Sequence, residues 1–157
     1  MAAAIIIVAG VAAACSGAAT AAPAASPSAA PAASAAASAP AAAGGPVVMT
    51  ATVGAVGTLV VASSNGMTVY TFDKDVANSG TSACTGGCIA KWPALTVPAG
   101  STPTGASGVT GKLGTITRAD DSTLQVTYNG KPLYFFAGDK AAGDSNGIYT
   151  GWSAVKP

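Results

Sequence analysis

Asn65-Gly66-Met67-Thr68-Val69-Tyr70-Thr71-Phe72-Asp73-Lys74-Asp75 and Asn129-Gly130-Lys131-Pro132-Leu133-Tyr134-Phe135-Phe136-Ala137-Gly138-Asp139 are two copies of one pattern. They align without a gap, each running from Asn-Gly through an aliphatic residue to Tyr-x-Phe-x-x-Asp. A Trp follows each copy, in Trp92-Pro93-Ala94-Leu95 and in Trp152-Ser153-Ala154-Val155. Asn-Gly takes positive φ cheaply and so marks a hairpin turn. Side chains alternate across a strand, so Tyr70 and Phe72 share a face, as do Tyr134 and Phe136. The pattern predicts two similar hairpin units related by a pseudo-two-fold axis, with the four aromatics meeting to form most of the core. Trp92 and Trp152 are expected to close that core at its ends. Each large aromatic buries about 150–250 Å², so six of them can anchor a domain otherwise poor in Leu and Ile. Asp75 and Asp139 fall where their strands end, where a carboxyl can accept from backbone N–H groups and fix the turn.

The segments around the two copies also read as short strands. Residues 47–53 are β-branched and apolar, which predicts a first strand, and residues 58–62 a second that meets 68–72 across the first Asn-Gly. Residues 112–118 alternate as a further strand, and Asp120-Asp121-Ser122 turns the chain. Residues 123–128 and 133–136 are expected to form the second hairpin, with Pro132 at an edge because it cannot donate to a ladder. Residues 97–111 are rich in Gly, Ser, Thr and Pro and predict an exposed loop. No sustained helical period occurs after Val47, so the fold class is all-β, a small domain over 47–157. Repeat one spans about residues 58–95 and repeat two about 123–155.

The N-terminal part has a different composition. Residues 1–14 form a short apolar run, the length of a signal-peptide core and below the roughly 20 residues of a membrane span. Ala12, Ala13 and Ala14 lead into Cys15, which resembles the bacterial lipobox, in which the Cys after the cleavage site becomes lipid-modified. No Lys or Arg precedes the run, and Ala12 stands where Leu is usual. Plain secretion and an uncleaved apolar anchor are the alternatives. Residues 15–46 are otherwise Ala, Pro and Ser with a little Gly and Thr, carry no charge, and lack the large apolar side chains that offset ordering entropy. They are expected to act as a tether from a lipid on Cys15 to the domain.

Charged residues are 8% of the chain and the net charge is +1. No field is available to steer nucleic acid, and no nucleic-acid partner is expected. The chain has no His, and its six acidic residues are all Asp: Asp73, Asp75, Asp120, Asp121, Asp139 and Asp144. With no His, no Glu and no nucleophile motif, no catalytic residue is assigned and an enzyme is not expected. Loop Asp residues could offer oxygen ligands to Ca²⁺, but none has the dense spacing of a calcium loop, so no metal or cofactor is assigned. Cys84-Thr85-Gly86-Gly87-Cys88 holds two glycines that allow the tight turn of a short disulfide. A structural bridge there tidies an insertion in repeat one, since the chain from Asp75 to Trp92 is longer than from Asp139 to Trp152. The alternative is a redox or electron-transfer accessory that uses the Cys84 and Cys88 pair.

Together these features resemble a bacterial secreted or lipoprotein repeat family of unknown function, described by a Tyr-x-(aromatic)-x-x-Asp motif. The residues that carry the resemblance are Tyr70, Phe72 and Asp75, then Cys84 and Cys88, then Trp92-Pro93. They continue with Arg118, Asp120-Asp121, Gln125, Tyr128, Gly130, Pro132-Leu133-Tyr134, Asp139, Gly143-Asp144 and Trp152. Ala94 stands where the pattern suggests a second Pro, and Ser122 where it suggests Gly. The resemblance implies an exported envelope protein and assigns no catalytic residue. The expected protein is a lipid-anchored, non-catalytic module facing the periplasm or exterior and meeting an unknown envelope component.

Overall fold

The computed structural model describes residues 44–157. The expected signal peptide, the lipidation expected at Cys15 and the expected tether up to residue 43 lie outside the described residues. β1 (Val48–Val53) and β2 (Gly57–Ala62) pair antiparallel around a single 3₁₀ turn at Gly54–Val56, where Gly54 and Gly57 hold positive φ. β3 (Tyr70–Phe72) is followed by a long loop, a five-residue helix α1 (Gly87–Lys91) and β4 (Thr96–Val97). β5 (Leu113–Thr117) and β6 (Leu124–Tyr128) pair antiparallel, with β7 (Lys131–Pro132) on β6 and β8 (Trp152–Ala154) near the C-terminus. The domain is all-β, with antiparallel ladders and almost no helix.

The two repeats are built alike, and each runs further upstream than the aromatic pattern alone suggests. β1 and β2 of the first unit correspond to β5 and β6 of the second. The units do not close on themselves as two hairpins. After its turn each motif strand leaves its hairpin partner and pairs across the pseudo-two-fold axis. Tyr70 and Tyr134 exchange both backbone hydrogen bonds, at 2.8 and 2.9 Å. β3 then pairs with β8 of the second unit, Tyr70 opposite Ala154 and Phe72 opposite Trp152. In the mirrored arrangement, Phe135 N–H donates to Pro93 O at 2.7 Å and Ala137 N–H to Lys91 O at 2.9 Å.

Where three segments meet, the backbone closes a ring of three hydrogen bonds. Val60 N–H donates to Val155 O (2.8 Å), Val155 N–H to Val69 O (3.0 Å) and Val69 N–H to Val60 O (3.3 Å). The second unit repeats the ring: Val126 N–H to Leu95 O (2.8 Å), Leu95 N–H to Leu133 O (3.0 Å) and Leu133 N–H to Val126 O (2.9 Å). In each ring one member, Val155 or Leu95, comes from the other repeat. Buried backbone donors need partners, so each unit depends on the other for its third strand.

The Asn-Gly dipeptides make two different turns. Asn129 and Gly130 both take positive φ, 50° and 80°, the type I′ geometry of a two-residue hairpin. Only Gly66 does so in the first copy, where Asn65 Oδ1 instead accepts from Met67 N–H at 3.0 Å inside a longer loop. Both glycines are also crowded from the opposite unit. A Cβ on Gly130 would lie 2.7 Å from the backbone N of Asn78, and one on Gly66 would lie 2.9 Å from Ala142 Cβ.

The core falls into aliphatic and aromatic parts. The larger is aliphatic, built around Val48, Val60, Val69, Leu95, Val126 and Leu133, and the aromatics form a second cluster beside it. The expectation that aromatics form most of the core is corrected: β-branched residues of the paired strands supply more of it. Residues 97–111 are largely exposed, but Val97 and Pro103 are buried, and residues 104–106 return to pair with the edge of β1. Because each unit's last strand belongs to the other's sheet, a chain cleaved within residues 98–111 should stay together. Both fragments should co-elute at the intact size in native buffer and separate only in denaturant; separation in native buffer would mean that each repeat folds on its own hairpin.

Candidate functional site

The repeat motif places its polar groups at the pseudo-axis. Tyr70 and Tyr134 are completely buried, and each donates its hydroxyl to the Asp of the other copy. Tyr70 Oη donates to Asp139 Oδ2 at 2.6 Å, and Tyr134 Oη to Asp75 Oδ2 at 2.7 Å. The second oxygen of each carboxyl holds the loop that follows it. Asp75 Oδ1 accepts from Ala83 N–H (2.7 Å), and Asp139 Oδ1 from Asn146 N–H (2.9 Å) and the Asn146 side chain (3.1 Å). The expectation that these Asp residues fix the turns is therefore met by half of each carboxyl. The other half reaches across the axis, which the spacing alone did not show. Ser82 Oγ lies 2.7 Å from the Tyr134 hydroxyl, and Gly147 N–H donates to that of Tyr70 at 3.3 Å.

The aromatics stack beside this exchange. Trp92 and Trp152 lie face to face, centroids 3.5 Å apart and planes within 2°. Phe72 stacks on Trp152 at 4.3 Å, and Phe136 lies tilted on Trp92 at 4.7 Å. The edges of Tyr70 and Tyr134 close the flanks, at 5.5 Å from Trp92 and 5.1 Å from Trp152. The two Trp residues are therefore the centre of the column, and the half-exposed Phe72 and Phe136 are its ends. This reverses the expected order: Trp152 lies on β8, which pairs with β3 of the other unit, and Trp92 follows α1 in the segment that bonds to residues 135–137 of the second motif. Lys91 sits over the Phe136 and Tyr149 rings, at 5.8 and 5.2 Å.

One polar cluster has no counterpart in the first unit. Arg118 is almost fully buried and donates to Gln125 Oε1 (2.7 Å), to Asp120 through Nε and Nη2 (2.9 and 2.6 Å), and to Cys84 O (3.0 Å). Gln125 in turn donates to Leu133 O at 2.8 Å. At the matching places in the first unit stand Val53 and Leu59, both buried in a small apolar cluster. The sequence reading quoted Arg118 and Gln125 without assigning them a role. The signal available was an Arg closing a strand whose other charge, Lys112, stands at its far end. The Arg118 guanidinium holds the Asp120 carboxyl below its ordinary range, and backbone N–H groups of Lys140 and Ala141 do the same for Asp144.

Cys84 and Cys88 form the disulfide, with Cα atoms 5.3 Å apart. Cys84 is fully buried against the aromatic cluster, and Cys88 is half-buried on α1. Arg118 and Ser82 both donate to the Cys84 carbonyl, so the bridge secures the inserted loop of the first unit. The Asp residues do not converge as ligands: among the described residues no group of three His, Cys, Asp or Glu could hold a metal ion. Chemically the motif is a reciprocal pair of hydrogen bonds beside an aromatic column buried at its centre, and its polar groups are turned inward.

Burial raises the Tyr70 hydroxyl pKa well above its ordinary 10.0, and the facing Asp139 raises it further. Burial also raises Tyr134, where the Ser82 bond opposes the shift and Asp75 adds to it. The folded protein thus keeps two protons that the unfolded chain releases above about pH 10. The two tyrosines should add no pH dependence below that pH, and above it stability should fall by about 1.4 kcal/mol per pH unit for each of them. Denaturant unfolding on either side of pH 10 should show this slope, and Tyr70→Phe should halve it. A stability that is flat through about pH 11 would contradict the assignment.

The pattern of the family described as a secreted repeat of unknown function matches the chain twice, over residues 50–96 and 114–156. The matched segments begin within β1 and β5 and end beyond Trp92 and Trp152, so they coincide with the two structural units. No curated protein and no solved structure matches the chain. With more than half its length under that pattern, the chain belongs to the secreted repeat family of unknown function and is an exported protein.

Proposed function

We propose that the protein is a lipid-anchored, non-catalytic module of the bacterial cell envelope. Cys15 carries the lipid, residues 15–46 hold the domain off the membrane, and residues 47–157 present a surface to an envelope component. The observation that carries the non-catalytic reading is the reciprocal bonding of Tyr70 with Asp139 and Tyr134 with Asp75. Groups that a catalytic site would aim at a substrate are here spent on one another inside the core. The small-residue run into Cys15 and membership of a secreted family support the anchored location. A redox role for Cys84 and Cys88 draws less support, because Cys84 is fully buried and its carbonyl is tied to Arg118. Thiol exchange needs an accessible sulfur.

Intact mass of the protein extracted from its native membranes, with and without reduction and alkylation, tests the reading. The expected mass shows cleavage before Cys15 and added acyl chains, with two further thiols appearing only on reduction. An unlipidated chain would remove the anchor. Cys84 and Cys88 alkylated without reduction would bring the redox role forward.

A further inference from the structure

The two units differ at their outer sheet edges. β1 is covered: Val47 N–H donates to Thr104 O at 2.7 Å, Ala106 N–H to Val48 O at 2.8 Å, and Gly108 packs over Thr50. β5, its counterpart, pairs with β6 on one side only. The bonds Asn129 N–H to Lys112 O and Arg118 N–H to Thr123 O put the even-numbered residues in register with β6. The N–H and C=O groups of Leu113, Thr115 and Thr117 therefore point outward, and among the described residues they have no partner. An open groove of about 260 Å³ beside this strand is lined by residues 112–116, by Thr127 and Gly130 of the neighbouring hairpin, and by Asn78 and Gly80.

We propose that the β5 edge pairs antiparallel with the β5 edge of a second copy of this chain, about Thr115. Edge strands are commonly protected by a central charge, a Pro or a bulge. Leu113-Gly114-Thr115-Ile116-Thr117 has no charge and no Pro. Thr115 and Thr117 are exposed and β-branched, and Thr–Thr pairs across strands are favourable. Charge favours the antiparallel sense. Among the described residues Lys112 has no ion pair, and it stands at one end, while Arg118, Asp120 and Asp121 leave an excess of negative charge at the other. Antiparallel pairing about Thr115 sets each Lys112 beside the other copy's Arg118, Asp120 and Asp121, whose charges sum to −1. The net charge of +1 gives two copies little mutual repulsion. A five-residue edge pair is smaller than a standard interface, so the contact is weak and reversible.

The test is cross-linking of the full chain carrying Thr115→Cys, with a short bismaleimide, in intact cells and with the purified protein. Paired residues on such a ladder have Cα atoms about 5.5 Å apart. The expected result is a homodimer well in excess of that from the wild type and from Thr58→Cys, an exposed Thr on a paired strand. Adding Thr117→Pro should abolish it while the thermal unfolding transition is kept, because the Thr117 N–H takes no part in the β5–β6 ladder. Three results would overturn the proposal: a yield equal to that of Thr58→Cys, a yield indifferent to Thr117→Pro in a folded protein, or an adduct whose mass shows a different protein on this edge. None of these bears on the lipid or on the mass test of the anchor.

Discussion

Two hydrogen bonds between a tyrosine of one repeat and an aspartate of the other organise this domain. Each buried hydroxyl must find an acceptor, because an unsatisfied one costs about 1–3 kcal/mol. The acceptor is not in the same copy of the motif, which makes the repeat a mutual device. The motif supplies a donor for its partner's carboxyl and a carboxyl for its partner's donor. Once that exchange is imposed, the motif strands must lie side by side at the axis, as the reciprocal Tyr70 and Tyr134 backbone bonds show. The Trp-bearing segments are drawn across, and the stacking of Trp92 on Trp152 follows.

The same constraint explains what the two units share and where they part. The three-bond rings, the aromatic flanks and the carboxyl-held loops occur twice. The edges and one buried pair do not. Val53 and Leu59 fill one unit with apolar side chains, while Arg118 and Gln125 fill the other with a hydrogen-bonded network that reaches the disulfide loop. The duplicated parts carry the fold, and the differences fall at the inserted loop and the sheet edges. With the motif consumed internally, recognition would fall to the rest of the surface, which is the basis for the proposed binding or structural module.

Much of the local structure was legible because it rests on local physics. The β-branched runs became β1, β2, β5 and β6, and the short Cys spacing with its glycines became a disulfide. Partner choice was not legible. A strand's alternation says which side chains share a face, but not which distant strand it will meet, so an intact pair of hairpins was the natural expectation. The same dipeptide gave different turns because loop closure depends on the neighbours: Asn129 has room for positive φ, whereas Asn65 folds its side chain back onto Met67. Ser122 adopts φ 60°, which supplies a physical reason for the Gly that the family pattern suggests there. Arg118 stood in the sequence beside Asp120 and Asp121 like an ordinary turn charge, and only its burial shows it to be a hub.

The claim that each motif completes the other is tested most directly by double-mutant cycles on folding stability. One cycle joins Tyr70→Phe with Asp139→Asn, across the repeats. The other joins Tyr70→Phe with Asp75→Asn, within one motif. The account predicts a coupling of about 1–3 kcal/mol in the first and less than about 0.5 kcal/mol in the second. A larger coupling within the motif than across the repeats would mean that each copy satisfies itself, and the exchanged architecture would be wrong.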